Sequence, residues 1–188
     1  MATIATMLPE DLQDYIAKNA GVLASSFDTS TWTISRTNII GATSGGIQFK
    51  DAPSYSDWGD DIDNCPKDMM ELKQLDSREV TVAGTYVSVK PSEIKNLVGA
   101  ADLESETGYE LITPRDELKT SDFISTLWFI TDYGDGNAIA IKLENVLNSD
   151  GYSLSTTDKG KGQHGFTYRA HYSMSDPDKV PYEIYIKK

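Results

Sequence analysis

The sequence predicts a mainly β protein: an antiparallel β-sandwich or barrel with a short flanking α-helix, an N-terminal helical arm and a long acidic hairpin loop. Segments in which apolar and polar residues alternate recur along the chain, as expected for strands with one buried face. Helical patterns occur only twice, so the strand–helix rhythm of a parallel sheet is missing. The ten Tyr, three Trp and five Phe, with a mean hydropathy of −0.39, favour wide amphipathic contacts such as sheets or subunit interfaces.

Residues 1–37 are predicted to form an N-terminal arm with a short helix, and residues 38–188 a single β domain. A helix over residues 8–20 is indicated by a proline in its first turn, by the acids that follow it, and by Gly21 as its stop. Its apolar face is narrow, so we expect it to dock on a sheet or on a neighbouring chain. Residues 31–35 alternate as a short strand.

A strand over residues 39–49 opens the β domain and runs into an acid-rich segment, residues 50–68. Gly41, Gly45 and Gly46 in this strand allow positive φ or a close approach of another chain segment. The acid-rich segment carries both aromatic and charged side chains. This mixture predicts a long hairpin loop that reaches a partner.

The next strand contains a predicted bulge, and a helix follows it. Apolar residues move from even to odd positions beside Gly84, which is the pattern of a bulge or sharp bend. Residues 91–98 are predicted to form a helix that begins with a proline and stops at Gly99. Three further strands are predicted at residues 152–156, 166–172 and 182–187.

Residues 123–131 form a strand that is apolar on both faces. Phe123, Leu127 and Phe129 lie on one face, and Ile124, Trp128 and Ile130 lie on the other. Such a strand needs cover on both sides, and a neighbouring subunit is the expected source of the second cover. After a turn at residues 132–137, the return strand is predicted to bury alternate residues. Its other face is small and wettable, and consists of Ala138, Ala140, Lys142 and Glu144.

Charge and composition exclude several classes of protein. The chain has 188 residues, with 29 acidic against 17 basic side chains and a net charge of −12. A nucleic-acid binder that neutralises phosphates with Lys and Arg is therefore not expected. The single cysteine, Cys65, cannot form an internal disulfide. No apolar run approaches the ~20 residues needed to span a bilayer, and no secretory signal is recognisable, so a soluble protein made in a cytoplasm is predicted.

The sequence contains no recognisable catalytic, cofactor-binding or metal-binding motif, so no enzyme activity and no cofactor are predicted. His164 and His171 would lie about 23 Å apart along one strand, too far to share a metal. The glycines at 41–46 lack the Gly-Lys-Ser/Thr ending of a phosphate-binding loop. The acids from Asp57 onwards lack the spacing of an EF-hand, which favours a solvated loop over a calcium site.

Six short runs follow one another along the chain: IGATSGGIQF (40–49), VSV (87–89), GAAD (99–102) after the helix at 91–98, KLENVL (142–147), FTYRAHY (166–172) and PYEI (181–184). In these runs and their order the chain resembles the major tail tube proteins of long-tailed phages, which are related to the tube proteins of type VI secretion. The resemblance covers roughly residues 38 to 188.

The resemblance implies a virion protein that assembles into stacked hexameric rings, with the inner strands joined into one barrel around a channel for DNA. The implied partners are further copies of the chain and other tail proteins, such as the tape measure and tail terminator. DNA would pass without specific binding, no membrane is involved, and the host cytoplasm is the site of synthesis. The acidic charge agrees with this, because a like-charged wall does not retain a polyanion.

Three sets of residues receive roles under this hypothesis. The ring-stacking loop comprises Tyr55, Asp57, Trp58, Asp60, Asp61 and Asp63. The ring interface comprises Ile124, Trp128 and Ile130. The lumen wall comprises Ala138, Ala140, Lys142 and Glu144.

Two other classes of protein remain open at the level of sequence. A carbohydrate-binding or adhesin-like β-sandwich would use an exposed aromatic residue such as Trp58 or Trp32 as a sugar platform. A small β-barrel hydrolase would need a pair of carboxylates. No pair among the 29 acids is distinguished by its spacing.

Overall fold

The computed structural model describes residues 8–134 and 136–187 and is mainly β, with 54% strand and 11% helix. This confirms the predicted class and its antiparallel pairing. The elements in chain order are α1 (Leu12–Tyr15), β1 (Ala17–Ala24), β2 (Gly41–Asp57), β3 (Lys73–Val89), α2 (Pro91–Val98), β4 (Ala101–Glu106), β5 (Tyr109–Pro114), β6 (Ile124–Tyr133), β7 (Asn137–Asn148), β8 (Ser153–Ser155), β9 (Gln163–Arg169) and β10 (Tyr182–Ile186).

Eight of the ten strands form one antiparallel sheet with the order β1-β6-β7-β9-β3-β2, to which β10 adds at β7 and β8 at β9. The two end strands of this order meet, because the Ile40 N–H donates to the Leu23 carbonyl at 3.0 Å and the Ser25 N–H donates to the Asn38 carbonyl at 2.9 Å. The sheet thus curls round on itself. Within the described residues, no helix is long and apolar enough to cross a membrane.

The main core lies inside the curled sheet. Its fully buried members come from most of the long strands: Leu23, Val80, Val82, Tyr86, Leu127, Leu143, Val146 and Tyr168, with Leu97 from α2. Asn145 has a φ of 52°, and beyond it the buried positions of β7 change from odd to even, so that Val146 and Asn148 face inward. The buried Asn148 amide donates to the Leu97 carbonyl at 2.7 Å and joins α2 to the sheet.

The N-terminal arm differs from the predicted helix. The helix ends at Tyr15, and β1 then pairs with β6 through Val22, Leu23 and Ala24. Leu23 and Ala24 are fully buried, so pairing with a distant strand outweighs the weak local helical pattern. Residues 31–35 form only an isolated bridge between Asp28 and Thr33. The part of the prediction that concerns residues 1–7 lies outside the described residues.

Helix α2 has the predicted limits, and the ladder of β3 is irregular beside Gly84 and at two further places. Gly99 ends α2 with a φ of 85°, and its N–H donates to the Lys95 carbonyl. In β3 the buried face continues past Gly84 to Tyr86. The ladder with β2 shifts register at three places along β3: between Leu75 and Ser77, between Gly84 and Tyr86, and between Tyr86 and Ser88. The hairpin of β4 and β5 was not predicted. Its sequence signal is the two-residue turn that ends in Gly108, which has a φ of 94°.

Replacing Gly21 with Ala should destabilise the protein by about 3 kcal/mol, since two effects combine at this position. Gly21 has a φ of 71°, and a Cβ there would lie 2.6 Å from the Ile130 carbonyl oxygen. Gly45 is the matched control, because its φ is 82° but nothing lies within 4 Å of its Cβ position. Gly45→Ala should therefore cost only about 1 kcal/mol. Urea unfolding measures both values, and equal losses would contradict the close approach of β1 to β6.

Candidate interaction surface at the tip of the long hairpin

Strands β2 and β3 form a hairpin whose far end extends beyond the neighbouring strand β9. They pair from Gly41 and Val89 to Asp57 and Lys73, but β9 covers β3 only from Thr81 to Tyr86. The acid-rich segment at 50–68, predicted as a loop, is therefore strand up to Asp57. The loop proper begins at Trp58. We call residues 55–75 the hairpin tip.

The Asp57 carboxylate and several backbone hydrogen bonds order the hairpin tip. Asp57 accepts hydrogen bonds from the Gly59 N–H at 2.9 Å and from the Asp68 N–H at 2.8 Å. These two bonds lower the pKa of the Asp57 carboxyl below its ordinary value. The Trp58 N–H donates to the Leu72 carbonyl at 3.0 Å and closes the loop. Asp57, predicted as a contact residue, thus has a structural role within its own chain.

Large apolar side chains of the hairpin tip point into solvent. Met70 is 81% exposed and Trp58 is 65% exposed. Four more are exposed at the same end of the molecule: Tyr55, Ile62, Met69 and Leu75. Exposed apolar residues are common singly, but a group on one projecting element is typical of an interaction site.

The tip is also strongly acidic. It carries six carboxylates and two lysines. Lys73 Nζ lies 2.6 Å from an Asp68 oxygen, and Lys67 Nζ lies 3.7 Å from an Asp60 oxygen. Asp61 and Asp63 are exposed, and neither forms an ion pair with another described residue. Among the residues that the structure describes, no group of three or more His, Cys, Asp or Glu is placed to hold a metal ion.

The residues assigned to ring stacking lie together at this tip. Tyr55 and Asp57 end β2, and the other four follow in the loop: Trp58, Asp60, Asp61 and Asp63. Sequence reasoning missed the apolar residues beyond residue 68. The pair Met69-Met70, within an otherwise polar segment, was the available signal.

The residues assigned to the ring interface do not share an exposed surface. Trp128 is only 7% exposed, and its ring centroid lies 5.4 Å from that of Phe27 and 5.5 Å from that of Tyr185. Ile130 packs beside it, while Ile124 packs on the main core. The second apolar face of β6 is thus covered around Trp128 by the chain itself, where a neighbouring subunit was expected.

The prediction that one face of β7 is open to solvent fails at Ala140. Ala140 is fully buried beside Trp128, and Ala138, Lys142 and Glu144 are half-buried. Strand β10 lies along β7 from residue 139 to residue 143 and brings Tyr185 over this face. Sequence periodicity could not reveal this cover, because β10 is about 40 residues away in the chain.

Glu144 lies at the centre of a small ionic cluster at the edge of this face. It accepts a hydrogen bond from Lys142 Nζ at 2.6 Å and from Lys179 Nζ at 2.8 Å. These bonds lower the pKa of the Glu144 carboxyl. The cluster ties the loop before β10 to β7, so these charges stabilise the chain internally.

The two histidines do not form a reactive site. His164 Nδ1 lies 3.1 Å from the Tyr152 hydroxyl, and the His171 ring packs edge-on against Phe123. The grooves on the surface are shallow. One of about 430 Å³ is lined by residues 44–48 and 83–85, three of which are glycines, and offers no charged side chain.

No protein-family model matches this sequence, and none of the curated proteins compared with it matches. The hairpin tip carries the functional hypothesis, because it combines an ordered backbone, exposed apolar side chains and charge.

Proposed function

We propose that this chain is a structural subunit that assembles into stacked hexameric rings and forms the hollow tail tube of a long-tailed phage. The observation that carries the proposal is the hairpin tip: an ordered, projecting element with six exposed apolar side chains and an acidic surface. An element of this kind is costly in a free monomer and useful in an assembly. The sequence resemblance supplies the geometry of rings and tube.

In this proposal the hairpin tip contacts the adjacent ring. Trp58 and Met70 are its most exposed apolar residues and would be the anchors, because large apolar side chains dominate the energy of protein contacts. Ile184 and Ile186 on β10, each 51% exposed, are further candidates for contacts within a ring. Trp128 and Ala140 have no contact role, since both are buried. The protein would act without a cofactor or catalysis, in the virion.

The charge of the chain supports the proposed conduit. A net charge of −12 lowers the affinity of a channel for DNA, which must pass without binding. Other tail proteins, such as the tape measure and tail terminator, would meet the tube at its inside and its end.

The double substitution Trp58→Asp and Met70→Asp should abolish tube formation and leave the fold intact. Both side chains are more than half exposed, so their loss should change the free energy of unfolding by less than about 0.5 kcal/mol each. Negative-stain microscopy of the concentrated protein measures assembly, and circular dichroism measures the fold. Met174→Asp is the matched control, because Met174 is fully exposed at a different surface, and its tubes should persist.

A shorter hairpin tests the same surface without new charges. Asp57 and Lys73 are direct partners in the ladder, so an Asn-Gly turn can replace residues 58–72. This variant should be a folded chain that does not stack. Tubes from either variant would refute the role of the tip, and a wild-type protein that forms neither rings nor tubes would refute the proposed function.

A carbohydrate-binding module is the second candidate, and the exposure of Trp58 favours it. Trp32, the other candidate platform, packs edge-on against Phe27 at 5.7 Å and is half-buried, so it does not offer a free ring. Binding of the wild-type monomer to a glycan array, lost in Trp58→Ala, would support this function in place of the tube.

A further inference from the structure

A second projecting element, the ribbon formed by β4 and β5, is not used by the proposed stacking contact. Its two strands pair from Ala101 and Pro114 to Glu106 and Tyr109, and they form a sheet of their own, separate from the eight-stranded sheet. A two-stranded hairpin is at best marginally stable alone in water. The ribbon therefore needs an anchor at its base, a partner along its length, or both.

The base of the ribbon is anchored by Arg115. Its N–H donates to the Ala100 carbonyl at 2.8 Å, its guanidinium contacts the Ala101 carbonyl at 3.3 Å, and Nη2 lies 2.7 Å from an oxygen of the buried Asp122. These contacts fix where the ribbon leaves the body. They leave its outer part uncovered.

One face of the outer part combines apolar and acidic side chains. Glu104 lies opposite Leu111, and Glu106 lies opposite Tyr109, so all four share a face. Tyr109 is 62% exposed and Leu111 is 43% exposed. Neither glutamate forms an ion pair with another described residue. We call these four residues the ribbon face.

A surface of the opposite charge lies at the free edge of the sheet, on β8 and the loop that follows it. Lys159 and Lys161 are exposed and form no ion pair within the described part of the chain. Leu154 is 55% exposed and Tyr152 is 38% exposed. The loop returns beside Leu154, because a Cβ placed on Gly162 would lie 3.7 Å from Leu154 Cδ1. We call Tyr152, Leu154, Lys159 and Lys161 the β8 patch.

We propose that the ribbon face of one copy docks on the β8 patch of a second copy of this chain. Two carboxylates meet two ammonium groups, and Leu111 and Tyr109 cover Leu154 and Tyr152. A chain with a net charge of −12 repels its own copies, and this repulsion is reduced where unpaired basic side chains of one copy face carboxylates of another. In the proposed tube this contact would act together with the stacking contact of the hairpin tip. The self-contact itself does not depend on the proposed function; only its location within a tube rests on it.

Reversal of charge on both sides tests the contact. Glu104→Lys with Glu106→Lys should weaken self-association at least about tenfold in sedimentation velocity, and Lys159→Glu with Lys161→Glu should do the same. The four substitutions together should restore association, because the charges are exchanged. The control is Glu10→Lys with Asp178→Lys, which makes the same change in net charge at two exposed acids elsewhere and should have a smaller effect.

Zero-length cross-linking between carboxylates and amines gives a readout that does not require tubes. In a mixture of isotopically labelled and unlabelled wild-type protein, links between copies should join Glu104 or Glu106 to Lys159 or Lys161. Tubes without these links would overturn the contact and leave the proposed function in place. Links without tubes would keep the contact and remove the proposed function. Failure of the quadruple variant to regain association would also overturn the contact.

Discussion

Asp122→Asn is expected to lower the free energy of unfolding by about 3 kcal/mol at pH 7, because it removes the counter-charge of two cations in a largely buried site. Asp122 Oδ1 lies 2.7 Å from Arg115 Nη2 and 3.0 Å from Lys95 Nζ, and Oδ2 accepts the Lys119 N–H at 2.9 Å. The Asp122 side chain is 1% exposed, and those of Arg115 and Lys95 are 15% and 17% exposed. Urea unfolding measures the loss.

The same carboxylate makes stability depend on pH in a defined window. Burial opposes ionisation of Asp122, but the hydrogen bonds from Lys119, Lys95 and Arg115 outweigh it and lower its pKa from 3.8 to about 2. The folded state therefore binds this proton less readily than the unfolded state. Its contribution is complete above about pH 4 and is lost as the pH falls towards 2, so the difference between wild type and Asp122→Asn should shrink over that range.

Asp116→Asn is the matched control for this prediction. Asp116 lies in the same connection between β5 and β6, is exposed, and forms no ion pair with a described residue. Its substitution should change the free energy of unfolding by less than about 0.5 kcal/mol. An equally small change in Asp122→Asn would show that the cluster does not hold the ribbon, α2 and this turn together.

Trp128→Ala is expected to destabilise the monomer by about 3 to 5 kcal/mol, which is the usual cost of emptying a large buried aromatic site. Trp128 packs between Phe27 and Tyr185 over Ala24 and Ala140. The measurement is urea unfolding at a concentration where the protein is monomeric, followed by circular dichroism.

Trp58→Ala tests whether an exposed tryptophan affects assembly without affecting stability. Trp58 is 65% exposed, so its loss should leave the unfolding free energy within about 0.5 kcal/mol of wild type while it impairs assembly. The two tryptophans should thus show opposite phenotypes. A stable Trp128→Ala chain that fails to assemble would instead place Trp128 at a subunit interface, as the alternation of apolar residues in β6 predicted.

Local signals in the sequence were sufficient where an element depends on its own residues. Helix α2 has its predicted limits because a proline begins it and Gly99 adopts the positive φ that ends it. The β6–β7 hairpin follows from its turn and from the apolar residues on either side. The candidate contact residues from Tyr55 to Asp63 also lie together, since they are neighbours in the chain.

Predictions failed where an element depends on a distant partner. The helical pattern before Gly21 could not reveal that Val22 pairs with Ile130 in β6. The acid-rich segment was predicted as a loop because of its many charged residues, although its pairing with β3 continues to Asp57 and Lys73. The pattern beside Gly84 marked one irregularity of the ladder, but not the shifts between Tyr86 and Ser88 and between Leu75 and Ser77, because register depends on the partner strand β2.

The sequence by itself determined the antiparallel β class, the position of α2 and the two-sided apolar character of β6. Each of these features depends on residues that are close together in the chain. The tertiary structure alone decided what covers β6: the loop after β1 and Tyr185 of β10 bury Trp128, and no periodicity in β6 can distinguish that cover from another subunit. It also decided which apolar residues stay exposed. The exposure of a side chain depends on which strands pack beside it, and the strands that pair here are often far apart in the sequence.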